Sequence, residues 1–119
     1  MLFFHKVPFA DLPSFYRLAD AFVYPSRIEG FGIPMLEAIS SGLPAIGCTG
    51  SCLEEAGGPH CIYVDPDDAQ AMSAALCRVV SDKELRETMI REGYKYARNF
   101  TDEVLAGKVH ETYSSILQA

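Results

Sequence analysis

The residues best equipped for chemistry stand close together, in Ser26-Arg27-Ile28-Glu29-Gly30-Phe31-Gly32-Ile33-Pro34-Met35-Leu36-Glu37. Gly30 and Gly32, directly ahead of a helix, let the backbone turn tightly and approach a ligand closely. Pro34 suits the first position of that helix and Gly42 its end. The helix N-terminus offers unpaired N–H groups and a partial positive charge, which together suit a phosphate. Glu29 lies at the mouth of the loop, and Glu37 about one turn into the helix. Carboxylates accept hydrogen bonds from vicinal hydroxyls, a common way of holding ribose and sugar rings. A ligand with a phosphate between two polyols matches this layout. Taken singly, a solvated loop role for Glu29 and a helix-dipole role for Glu37 explain the residues equally well.

The elements that must position this loop follow from hydrophobic pattern and punctuation. Leu2 to Val7 reads as a short buried strand. Asp11 offers an N-cap with Pro13 in the first turn, and Phe15, Leu18 and Ala19 follow at helical spacing. Ala21 to Tyr24, closed by Pro25, reads as a second strand, Pro44 to Cys48 as a third and Cys61 to Val64 as a fourth. Ser51-Cys52-Leu53-Glu54 has the capping-box pattern and opens a short helix stopped by Gly57-Gly58-Pro59. Gly47 to Ser51 either lines a cleft or forms a plain turn.

Beyond the fourth strand the pattern is wholly helical. Asp67 caps a helix with Ala69, Met72, Leu76, Val79 and Val80 on one face. Ser81-Asp82-Lys83-Glu84 is a second capping box, opening a helix with Leu85, Met89, Ile90 and Ala97 inward. In it, Tyr94-Lys95-Tyr96 reads as surface. Thr101 caps the last helix, with Leu105, Val109, Tyr113 and Ile116 inward. Strands alternating with helices predict an α/β fold: a parallel sheet of about four strands, flanking helices and an all-helical C-terminal tail. Ligands bind at the carboxyl ends of such strands, where the glycine loop lies.

A chain of 119 residues fits one domain, and 49% apolar with 22% charged residues can build a packed core. The net charge of −6, without a Lys/Arg cluster, argues against nucleic acid as a partner. No apolar run approaches the ~20 residues needed to span a bilayer. The apolar start lacks a basic lead and is too short for a signal peptide, so the expected location is cytoplasmic, with peripheral attachment at the inner membrane face as the variant. Cys48, Cys52, Cys61 and Cys77 lack metal or redox spacing and read as reduced structural residues. Asp65-Pro66-Asp67 has the outline of a metal-binding DxD motif, but it joins a strand to a helix, where Asp is an ordinary cap. His5, His60 and His110 are unclustered, and no metal site is expected.

The run from Glu29 through Gly30, Phe31, Gly32 and Pro34 to Glu37 resembles the signature of the retaining, two-Rossmann-domain (GT-B) glycosyltransferases of family 4. Bacterial mannosyltransferases, sucrose synthases and many lipopolysaccharide and capsule glycosyltransferases belong there. The likeness extends upstream through Leu12 to Asp20 and Phe22 to Ser26, and downstream through Ser41-Gly42-Leu43-Pro44 and Val64 to Asp68. It covers nearly the whole chain. The resemblance implies that residues 1–119 are part of the C-terminal, nucleotide-sugar-binding domain of such an enzyme, with the N-terminal acceptor domain absent. It implies that Glu37 holds the ribose hydroxyls of the nucleotide and that Glu29, the catalytic candidate, lies close to the donor sugar and helps to orient it. Backbone N–H groups around Gly30, Phe31, Gly32 and Ile33 would contact the donor sugar. The implied reaction is metal-independent transfer of a hexose of mannose or glucose type, from a donor such as GDP-mannose or a UDP-hexose to a glycan or lipid acceptor.

Some features depart from the pattern. No Arg or Lys here matches the family's phosphate-binding pair, and Arg27 is not at their position. His5 stands where relatives often have Gly, and Asp102 where they often have Trp. The expected Rossmann strand order would place the strands found here as third to sixth, leaving Ala21 to Tyr24 as an exposed edge. The fragment is therefore expected to pair with a second copy through that edge and to be inactive alone. The alternative function is a catalytically inert interaction or nucleotide-binding module that keeps the fold.

Overall fold

Every strand of the sheet takes its partners from the middle of the chain. In this computed structural model, which describes residues 1–119, the strands are β1 (Phe22–Val23), β2 (Ala45–Cys48) and β3 (Ile62–Val64). They run parallel in the order β1-β2-β3, with Val23 and Ile62 both registered on Ile46. The Phe22 and Tyr24 N–H groups donate to Pro44 and Ile46, and the Thr49 N–H to Val64. All of β2 is buried, as befits a central strand covered on both faces.

The helices are α1 (Leu12–Leu18), α2 (Ile33–Ser40), α3 (Leu53–Gly57), α4 (Ala69–Ser81), α5 (Lys83–Ala97) and α6 (Asp102–Gln118). Two apolar clusters share β2. Ala45 and Cys48 pack with Met35, Ala38 and Ile39 of α2 and Leu53 and Ala56 of α3. Ile46 packs with Ala75 and Val79 of α4 and Met89 of α5. Helix α2 ends as Gly42 predicts. With φ +77, Gly42 lets its own N–H reach the Ile39 carbonyl and the Leu43 N–H reach Ala38. No helix of the chain is long and apolar enough to cross a membrane.

The sheet has three strands rather than about four. Residues 1–7 form no strand and are largely exposed, although Phe4 meets Phe15 edge-on at 5.1 Å. A strand needs a neighbour for its N–H and C=O groups, and the apolar run pairs with neither β1 nor β3, the two edges of the sheet. The N-terminus of α4 is capped by Asp68, not Asp67, through the Ala71 N–H, and that of α5 by Asp82, not Ser81, through the Leu85 N–H. The capping box at Ser51 does not form: Cys52 holds the N-cap position of α3, and the Ser51 hydroxyl is buried without a partner. Thr101 caps α6 as expected.

Toward the C-terminus the helices bury less than their apolar periodicity predicts. Ala69, Leu76 and Val80 of α4 are exposed, and α6 buries no residue: Leu105, Val109, Tyr113 and Ile116 form an apolar stripe that faces solvent. Tyr96 goes the other way. It packs against the core and donates to the Glu55 carbonyl. Of the cysteines, all free, Cys48 is buried and Cys77 is exposed on α4.

Candidate functional site

The glycine loop leaves the carboxyl end of β1 and returns as α2, so the parallel strands aim it toward the end of the sheet where ligands bind. Gly32 is the N-cap of α2 at φ +98, a conformation L side chains rarely adopt. A methyl there would also stand 2.5 Å from Leu53 Cδ2. The glycine is thus needed for both its backbone angle and the close packing of α2 on α3. The Gly32 carbonyl accepts from Met35 and Leu36, while no loop or cap hydrogen bond uses the Phe31, Gly32 or Ile33 N–H as donor. Those groups remain available at a helix N-terminus. The Phe31 ring turns away onto Phe100 at 5.5 Å, which leaves its backbone for the site. Gly30 is open, with nothing within 4 Å of the place a methyl would take.

Each glutamate meets one tyrosine. The Tyr24 hydroxyl donates to Glu29 Oε1 at 2.7 Å, and the Tyr16 hydroxyl donates to Glu37 Oε2 at 2.9 Å. The hydroxyls of Ser26 and Tyr24 hold the Glu29 carboxyl below the usual carboxylate range. The Tyr24 bond is the better formed, since the Ser26 hydroxyl also reaches the Ile28 carbonyl at 3.4 Å. The Glu29 carboxylate in turn pushes the Tyr24 phenol up, while Tyr16 is pushed up by burial first and by Glu37 second.

Behind the carboxylates runs an aromatic row. Tyr16 lies 5.6 Å from Phe22, and Phe22 stacks on Tyr24 at 5.8 Å and 23°. Phe22 and Tyr24 share a strand face because alternate residues point the same way. The row therefore joins the two tyrosines that hold Glu29 and Glu37. Glu37 also lines a cleft of about 300 Å³ with Phe9, Leu12, Pro13, Tyr16 and Leu36, which Glu29 does not reach. The cleft is mostly apolar, with a carboxylate at one side.

Two further contacts fix the loop. The Cys52 thiol donates to the Glu29 carbonyl at 3.0 Å. Arg27 pairs with Asp67 at 2.6 Å, linking the loop after β1 to the loop after β3. Arg27 holds the Asp67 carboxyl below its usual range. The Asp65 carboxylate accepts from the Asp67 N–H, so the DxD-like segment closes on itself as a turn. Gly47 is core, packed under Met35 and Tyr63, and does not line the cleft. Glu29, Glu37 and the glycines are the residues that the loop's spacing singles out, whereas Tyr16, Tyr24, Cys52 and the apolar cleft are not marked by it. The one available signal is the alternation of Phe22 and Tyr24 on a strand leading into the loop.

Comparison with known proteins gives one consistent answer. The family model for glycosyl transferases group 1 matches residues 1–96. The chain is 40% identical over 97 residues to O-antigen chain mannosyltransferase B of Escherichia coli, covering 82% of this chain and 26% of that protein. It is 35% identical over 104 residues to sucrose-phosphate synthase 1 of Arabidopsis thaliana, covering 77% of this chain and 9% of that one. Among solved structures, sucrose-phosphate synthase from Thermosynechococcus elongatus superposes with a TM-score of 0.84 at 26% identity, covering 98% of this chain and 30% of that one. The chain thus spans about a quarter or less of the curated relatives' length.

Proposed function

Since the chain belongs to the glycosyl transferases group 1 family, we propose that it forms the nucleotide-sugar donor site of a retaining hexosyltransferase of GT-B type. The observation that carries this reading is the bracketing of a helix N-terminus by two carboxylates, each already oriented by a phenol. Glu37 has one oxygen held by Tyr16 and faces the apolar cleft, an arrangement suited to ribose hydroxyls with the base seated among Phe9, Leu12 and Pro13. The free N–H groups at Phe31 to Ile33 and the helix dipole favour the diphosphate and the sugar beyond it. Glu29, at the far end of the aromatic row, orients the sugar.

In the transfer, the bond from the anomeric carbon to the diphosphate oxygen breaks and its electrons leave with the nucleoside diphosphate. The acceptor hydroxyl oxygen bonds to that carbon with the configuration kept, and its proton passes to the departing diphosphate oxygen. Positive potential at the start of α2 stabilises the charge on the leaving group. The names of the relatives, mannosyltransferase and sucrose-phosphate synthase, support a hexose donor. An acceptor that is a glycan or lipid belongs to the same reading.

The engagement of Arg27 by Asp67 favours a second reading for this chain acting by itself. With its own cation neutralised, the loop binds nucleotide without turning it over, as an inert module would. Amide chemical-shift mapping with nucleoside diphosphates tests the donor-site reading. It predicts shifts concentrated at Phe9 to Tyr16 and Gly30 to Glu37. Shifts confined to other surfaces, or none at millimolar ligand, count against it.

A further inference from the structure

We propose that Tyr16 and Tyr24 are positioning residues for the site's two carboxylates, Tyr16 for Glu37 and Tyr24 for Glu29. What those carboxylates hold rests on the donor-site reading above. That they are held rests on geometry alone.

A glutamate side chain is long, and fixing it removes much of its rotamer freedom. If that ordering is already done before a ligand arrives, binding is correspondingly tighter. Each phenol does this by engaging a single oxygen: Oε2 of Glu37 at 2.9 Å and Oε1 of Glu29 at 2.7 Å. The other oxygen of Glu37 keeps its lone pairs for a ligand hydroxyl, and Glu29 keeps those that Tyr24 and the Ser26 hydroxyl leave. A neutral donor suits this task. A Lys or Arg in the same place would orient the carboxylate but would also neutralise it and compete for both oxygens.

The phenols are themselves fixed. Tyr24 follows β1, and its N–H donates to the Ile46 carbonyl at 2.9 Å. Its ring stacks on Phe22, which also meets Tyr16. Tyr16 comes from α1 and crosses to α2, a separation of 21 residues. One aromatic row, resting on β1, therefore sets the directions of both carboxylates.

The test uses the full chain as wild type, Tyr16→Phe, Tyr24→Phe, Glu37→Gln and Glu29→Gln, in two arms. In the first, carbon-13 labels at Glu Cδ and Tyr Cζ are followed by NMR across pH without ligand. Glu29 should ionise at higher pH in Tyr24→Phe, and the Tyr16 phenol at lower pH in Glu37→Gln. Unmoved titrations overturn the proposal whatever the chain binds. In the second arm, calorimetry compares GDP, UDP and ADP with their 2′,3′-dideoxy counterparts. Tyr16→Phe should bind the preferred nucleotide about tenfold more weakly, the scale of a hydrogen bond to a charged group. Its preference for ribose over dideoxyribose should shrink by a similar factor. Equal weakening of both ligands would make Tyr16 merely structural and overturn its role. If the titrations move as expected and the wild type binds no nucleotide, the donor-site reading fails and the positioning stands.

Discussion

The Tyr16 phenol donates to Glu37 Oε2 at 2.9 Å, tying α1 to the side of α2 that faces the cleft. Helix α1 buries none of its residues, so its hold on the rest of the chain leans on contacts of this kind. Tyr16→Phe should lower stability by about 1 kcal/mol, the usual net worth of such a bond. Urea unfolding followed by circular dichroism checks this, with an unchanged midpoint as the contrary result.

Gly32→Ala should cost more. The substitution adds left-handed strain of about 1–2 kcal/mol and drives a methyl onto Leu53, which is fully buried and cannot swing aside. We expect a total loss of about 2–4 kcal/mol. Gly30→Ala, in open space and without a left-handed angle, should cost less than about 1 kcal/mol in the same experiment. Equal losses at the two positions would contradict the account of the loop.

The chain should lose stability in alkali. Burial pushes the Tyr63 phenol up, and pushes the Cys61 thiol from 9.0 to about 11. Tyr16 is raised as well. These folded values lie above the unfolded ones, so the stability they contribute is complete below the unfolded values near 9 and 10. It falls as pH rises from there toward the folded values, because the unfolded chain then binds fewer protons than the native one. Tyr63→Phe should make that decline shallower by at most about 1.4 kcal/mol per pH unit above about pH 10. It should also cost about 1 kcal/mol at neutral pH, where the Tyr63 hydroxyl donates to the Gly58 carbonyl at 2.8 Å. Thermal melts across pH for both proteins decide the matter, and parallel curves would contradict it.

Self-association is expected at the open edge of β1. The Phe22 and Tyr24 N–H groups point to β2, so those of Val23 point away from it toward a free edge. The α6 stripe of Leu105, Val109, Tyr113 and Ile116 adds exposed apolar surface. Light scattering should show a mass that rises with concentration. Val23→Pro, which removes the outward N–H and leaves the N–H groups bonded to β2, should reduce it if the edge is responsible. Val109→Glu with Ile116→Lys should reduce it if the stripe is. A strict monomer at high concentration contradicts both.

What can be read from the sequence is what local chemistry decides. Gly42 ends α2 as expected, while Pro34 stands second in that helix rather than first, and the apolar runs at Phe22–Val23, Ala45–Cys48 and Ile62–Val64 become strands because helices cover them. Leu2 to Val7 is also apolar yet stays irregular, since pairing depends on a neighbour that no local pattern encodes. Caps slip by one residue where several candidates stand in a row, as with Asp67 and Asp68 or Ser81 and Asp82. There the reach to the helix N–H groups decides, not the residue type. The glutamates are legible from their spacing around the glycines. Their tyrosines are not, because Tyr16 finds Glu37 only through the tertiary fold.

Whether Glu37 holds the ribose of a nucleotide is decided by calorimetric titration of the chain with GDP, UDP and ADP. One of these should bind, and Glu37→Ala should weaken it at least tenfold, a loss of about 1.4 kcal/mol. The variant's circular dichroism should stay that of the wild type. Binding that is unchanged in Glu37→Ala, or the absence of binding by the wild type at millimolar nucleotide, would contradict it.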